Sequence, residues 1–140
     1  MILTLQLPPR ECGGNSSVHW SKKAKAIRQY RQDARIIYMA HEQSLNLPSI
    51  PKSNTTPIRI SATFYTFKCI GTDDRYRPRD WDNAIRSLKP AVDGLVDGGL
   101  IPDDNHNYLS WGEVKIIPSV KHKDANGKPR VVLTIEIVEP

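Results

Sequence analysis

The chain has 140 residues, a length for one domain, and its 39% hydrophobic and 25% charged residues are those of a soluble globular protein. It has no apolar run of the ~18 residues a membrane helix needs, and two cysteines, Cys12 and Cys69, are too few for a disulfide framework or a four-thiolate zinc site. The formal net charge of +5 favours an anionic partner, nucleic acid first.

"MILTLQLPPR" lacks a basic, apolar leader, so a reducing cytoplasm is the expected compartment. Within it "ILTLQL" alternates apolar and polar residues and reads as a strand, stopped by Pro8 and Pro9. "RECGGNSSVHW" is a loop. Ser21 is placed to cap a helix running to about Gln43, with Ala26, Ile27, Tyr30, Ala34, Ile37, Tyr38 and Leu45 at near-helical spacing. "LNLPSIPKSNTTP" is a proline-broken connection, and "IRISATFYTF" is a second strand. After the polar loop "KCIGTDDRYRPRD", Trp81, Ile85, Leu88, Val92 and Leu95 form one helical stripe. Asp82, Arg86, Lys89 and Asp93 form another. Pro90 should kink this helix, at roughly 3 kcal/mol unless the site is built for it, and Gly98-Gly99 should end it. "LIPDDNHN" is a turn. "YLSWGEVKIIPSV" and "RVVLTIEIV" are strands, with a hairpin signal at Asn126-Gly127 between them. The expectation is a single α+β domain over residues 1–140, in the order β-α-β-α-β-β, with a small mixed sheet packed with two helices.

Asp80 and Asp82 sit at the mouth of the second helix, and Asp103 and Asp104 follow it. A straight helix there would be roughly 25 Å long, so the second pair meets the first only if the chain folds back. Caps and turn formers would account for a lone Asp-x-Asp. The cations around these acids are harder to explain that way. Carboxylates crowded together repel unless a cation joins them, and oxygen ligands suit Mg²⁺ or Mn²⁺. His19, His41, His106 and His122 are scattered, and no nucleophilic Ser, Cys or His arrangement is visible.

"RDWDN", "KPAVDGL" and "GLIPDD", in this order, resemble the RusA family of Holliday junction resolvases, found in bacteria, phages and prophages. The likeness runs from about Tyr76 to Val114. It implies a Mg²⁺-dependent endonuclease that works as a homodimer on four-way DNA junctions in recombination and repair, without a small-molecule cofactor. By the resemblance, Asp80, Asp82 and Asp104 match the metal-binding, catalytic aspartates, and Arg79 a basic residue before the first of them. The family's helix cation stands four positions after the second aspartate, where this chain has Arg86. Lys89 keeps the local "KP" context, as if three residues were inserted, and is the favoured catalytic cation. Arg75, Arg77, Arg79, Arg86, Lys121, Lys123 and Lys128 are the expected DNA-backbone contacts.

Two rival readings are a non-catalytic branched-DNA-binding module of the same fold and a hydrolase of small nucleotides. The intact acid set argues against the first. The second needs an enclosed pocket, and the basic clusters outside the acids speak against it. Trp111 and Tyr108 are expected in core or interface packing ahead of base stacking, and are the candidate dimer-interface residues.

Overall fold

The computed structural model describes residues 1–12, 19–44, 56–67, 81–120 and 129–138. Strand β1 (Ile2–Gln6) leads through a 3₁₀ turn (Arg10–Cys12) to helix α1 (Trp20–Ser44) and strand β2 (Ile58–Phe67). Helices α2 (Trp81–Ser87) and α3 (Lys89–Asp97) follow, then strands β3 (Leu109–Val120) and β4 (Arg130–Ile137). The domain is α+β, with one mixed four-stranded sheet and helices against it.

The strand order is β1-β4-β2-β3. β4 runs antiparallel to both β1 and β2, and β3 is parallel to β2. Alternation decides which face is buried. Leu3, Leu133 and Ala62 stand abreast across three strands, as do Leu5, Val131 and Phe64, and all six are buried. Tyr30, Ala34 and Tyr38 of α1, with Ala84, Leu88, Ala91, Val92 and Leu95 of α2 and α3, close the other side of the same core. Burying a side chain the size of Phe64 or Leu133 is worth about 1.5–3 kcal/mol.

The Asn126-Gly127 hairpin is a correction. β3 and β4 are not neighbours; β2 lies between them. Asn-Gly encodes local turn chemistry, whereas strand partners are chosen by burial. β4 buries Val131, Leu133 and Ile135 and takes a central place, while β3 takes an edge beside β2. Residues 126 and 127 themselves lie outside the described residues.

The helix start is also corrected. Trp20 is already helical, so Ser21 lies inside α1. His19 holds the cap position instead: its carbonyl accepts from Lys23 N–H at 3.1 Å and its Nδ1 accepts from Ser21 N–H at 3.3 Å.

At Pro90 the helix divides rather than bends. A proline there removes the donor to the Arg86 carbonyl and would strike it. The chain responds one turn earlier. Leu88 N–H donates to Ile85 O at 3.1 Å, and the buried Ser87 hydroxyl donates to Ala84 O at 2.7 Å. Pro90 then falls in the first turn of α3, where a missing N–H is harmless, so the interior-proline cost is avoided. Trp81, read as the first member of the apolar stripe, is 52% exposed. The buried face of α2 carries Ala84 in its place.

α3 ends as expected at Gly98 and Gly99. Gly99 N–H donates to Val96 O and Leu100 N–H to Leu95 O, with Leu100 buried against the core. Gly99 has φ +92°. Gly99→Ala should therefore cost about 1–2 kcal/mol, read as a lower urea midpoint with an unchanged m-value.

α1 and α3 pack in parallel. Gly94 lies against Arg31 and Ala34, and Gly98 lies against Tyr38, so residue numbers rise together along the two helices.

Candidate active site

The expected ligand Asp80 lies outside the described residues, as do Arg75, Arg77, Arg79, Lys121, Lys123 and Lys128. Asp82 stands in the first turn of α2 and Arg86 in its last, and both side chains are exposed. Lys89 opens α3.

Asp103 builds the turn that follows. Its Oδ1 accepts Asp104 N–H at 2.8 Å and its Oδ2 accepts Asn105 Nδ2 at 3.0 Å. The Asp104 N–H, then the Asn105 side chain, hold its carboxyl below the usual carboxylate range. The Asn105 side chain in turn accepts Asn107 N–H, and its carbonyl accepts the N–H groups of Tyr108 and Leu109. This knot delivers the chain into β3. His106 is exposed on it.

Asp104 is left to face the helix. Its carboxylate takes a hydrogen bond from the Lys89 ammonium, which also donates to Asp93 at 2.8 Å. The turn thus folds back beside α3, where the Lys89 ammonium meets both Asp93 and Asp104. Asp82 and Lys89 are seven residues apart, roughly 10 Å of helical rise. Partial burial works against the Lys89 charge, but the bonds to Asp104 and Asp93 outweigh it and hold its pKa above the usual lysine value.

The charge chain continues into α1. Arg31 grips Asp97 with two hydrogen bonds, Nε to Oδ2 at 2.5 Å and Nη2 to Oδ1 at 2.8 Å, and its Nη1 stands 4.0 Å from Asp93. These bonds pull the Asp97 carboxyl below its ordinary range. The order along the surface is Asp97, Arg31, Asp93, Lys89, Asp104. Each pair is partly exposed and worth at most about 1 kcal/mol, so this chain fixes directions more than it stabilises the fold. Asp93 was legible as part of the polar stripe with Lys89. Arg31 was not, because it meets Asp97 across 66 positions of sequence and no local pattern marks it.

Among the described residues, no three His, Cys, Asp or Glu side chains stand close enough together to hold a metal. Asp82 and Asp104 nevertheless supply the carboxylate oxygens that a hard divalent cation takes, with a cation beside one of them. The chemistry of the donors fits Mg²⁺ or Mn²⁺.

A separate cleft of ≈ 260 Å³ opens between β1 and α1, lined by Leu5, Gln6, Tyr30, Asp33, Ile36 and Ile37. Its single carboxylate, Asp33, accepts from Gln29 at 2.9 Å. None of Lys89, Asp93 and Asp104 reaches it. Cys12 is buried with its thiol raised by that burial, and no described helix is long and apolar enough to cross a membrane.

No family model matches the chain. It is 29% identical over 141 residues to an uncharacterized protein of Xylella fastidiosa (strain Temecula1 / ATCC 700964), an alignment covering 92% of this chain and 83% of that protein. Among solved structures, the periplasmic domain of MotB (residues 64–256) aligns with 99% of this chain at a TM-score of 0.41 and 18% identity. The chain spans 64% of that domain.

Proposed function

We propose that this protein is a Mg²⁺-dependent, structure-selective DNA endonuclease that resolves four-way junctions by paired, symmetric phosphodiester cleavage. One observation carries the reading: the helix cation Lys89 and the acid Asp104 of the returning turn are in contact. A lysine held beside a carboxylate, on a surface flanked by further cations, is what phosphate chemistry asks for. It also brings the "KP" and "IPDD" segments of the RusA-like motif order together.

Asp80, Asp82 and Asp104 would hold the ion. When bound, Mg²⁺ polarises the scissile phosphate and lowers the pKa of the attacking water. The Lys89 ammonium opposes the charge that develops on the phosphate oxygens, and Asp93 keeps it aimed there. Arg86, exposed one turn earlier on α2, contacts the DNA backbone with Arg75, Arg77, Arg79, Lys121, Lys123 and Lys128. Two cuts at symmetric positions need two equivalent sites, which a closed homodimer supplies. Trp111, 37% exposed on the edge strand β3, is the interface candidate. Tyr108 packs against the core instead. The protein works in the cytoplasm, where its DNA substrate lies.

The test is a Mg²⁺ titration on a labelled synthetic junction. Cutting that rises with Mg²⁺ supports the reading. Tight binding with no cutting at any Mg²⁺ or Mn²⁺ level would favour the binding module.

Lys89→Ala and Arg86→Ala separate the two candidate cations. Lys89→Ala should slow single-turnover cleavage by one to two orders of magnitude with little change in binding, the scale of one electrostatic donor. Arg86→Ala should weaken binding and leave the bound rate near wild type. The reverse pattern would move the catalytic role to Arg86.

A further inference from the structure

We propose that the solvent face of α1 is a second DNA contact, a track on which the phosphate backbone of a duplex arm runs toward the Lys89–Asp104 corner; this rests on the nuclease reading above. Lys22, Lys25, Arg28 and Arg35 are all exposed on that face; none makes a salt bridge among the described residues, and Arg35 only adds its field to that of Arg31 at Asp97. At 100° per residue, Lys25, Arg28, Gln32 and Arg35 fall within one narrow stripe. The two acids of the helix are engaged elsewhere. Asp33 accepts from Gln29, and Glu42 accepts from the Tyr38 hydroxyl.

A solvated helix surface mixes signs, because like charges at i, i+3 or i, i+4 cost a few tenths of a kcal/mol each. Here Lys22 and Lys25, and Lys25 and Arg28, are such like pairs. The first turn carries Lys22 and Lys23 and no acid, against the helix dipole as well. A polyanion relieves all of this repulsion at once. Phosphate is the matching chemistry: the stripe from Lys22 to Arg35 rises about 20 Å, the length of about six base pairs of duplex. Gln32 adds an uncharged donor of the kind that contacts phosphate oxygens.

The packing aims the track. α1 and α3 are parallel, and Arg31 of α1 stands at Asp93 of α3. Lys89 lies one turn before Asp93 and Arg28 nearly one turn before Arg31, so Arg28 is level with the Lys89–Asp104 corner. Lys25 and Lys22 continue away from it. The 3₁₀ turn packs against both α1 and α2.

The experiment compares wild type with the triple variant Lys25→Gln, Arg28→Gln, Arg35→Gln by fluorescence anisotropy on a labelled four-way junction. Binding is measured in EDTA across about 50–200 mM salt. Each lost phosphate contact removes about 0.9 from the log–log salt slope, so the slope should shrink by 2 to 3 and Kd should rise at least tenfold at the low-salt end. Gln is a good helix former, and among the described residues only the attraction of Arg35 for the Asp97 carboxylate is lost, so the melting temperature should stay near wild type. An unchanged slope and Kd, in a wild type that binds and cuts junctions, overturns the track and leaves the nuclease reading standing. A wild type that neither binds nor cuts DNA overturns both. Loss of binding to phosphatidylserine vesicles with DNA binding intact would assign the face to a membrane surface and overturn the track.

Discussion

Asp104→Asn should abolish junction cleavage and leave junction binding as tight as wild type, or tighter. The Asp104 carboxylate lies on the Lys89 ammonium, at the point where the returning turn meets the start of α3. In the proposed site it is both a ligand to the metal and the group that sets where Lys89 points. The amide keeps the size but loses the charge. A metal's charge stabilisation is worth several kcal/mol, and each 1.36 kcal/mol is tenfold in rate, so the loss is about three orders of magnitude or more. Binding moves the other way, because a carboxylate facing a phosphate repels it. Asp82→Asn should behave alike. Asp103→Asn should lose less, since Asp103 spends both oxygens on the turn. Single-turnover cleavage and gel-shift binding on one labelled junction measure both quantities. The ion pair at Asp104 is partly exposed and contributes at most about 1 kcal/mol, so these variants stay folded. An Asp104→Asn protein that cuts at the wild-type rate, or that loses binding together with cutting, would remove Asp104 from the site.

Gly94→Val should lower the unfolding temperature by about 10 °C or more. A Cβ on Gly94 would lie 2.2 Å from the Arg31 carbonyl oxygen and 3.1 Å from Ala34 Cβ. The obstacle is backbone, not the end of a flexible side chain, so α1 and α3 must move apart as bodies. Overpacking of this kind costs typically 1–3 kcal/mol, and a clash with backbone belongs at the top of that range or above it. About 3 kcal/mol is about 10 °C for a domain of this size. The same separation would pull Arg31 from Asp93 and Asp97, which lie one residue and about one turn from Gly94 along α3. Cleavage by the folded fraction should therefore fall too. Thermal unfolding followed by circular dichroism reads the first effect. A midpoint within 2 °C of wild type would mean that the two helices do not meet at Gly94.

The strands were legible where one face is buried and the other is not. β1, β2 and β4 alternate because their alternate residues enter one core, and period-two patterning records that directly. Partner choice is not recorded so. β4 goes to the middle of the sheet and β3 to its edge, a decision made by non-local burial, and the local Asn126-Gly127 signal pointed to the wrong pairing. The proline at 90 announced a break but not its form, because whether a helix bends or restarts depends on what Ser87 and Leu88 do with the freed groups. At the site, Asp82, Lys89 and Asp104 stood out by spacing and motif. Their neighbours did not. Arg31 reaches α3 only because Gly94 lets the helices close, and a glycine between two packed helices looks, in sequence, like any helical glycine.

The central claim, paired metal-dependent cutting of a four-way junction, is tested most directly by nick mapping on a mobile junction with each strand labelled in turn. Nicks should fall at matching positions on two opposing strands, present with Mg²⁺ and absent in EDTA, with products that are two linear duplexes. Intact strands at every Mg²⁺ and Mn²⁺ concentration, from a folded protein that binds the junction, would contradict it.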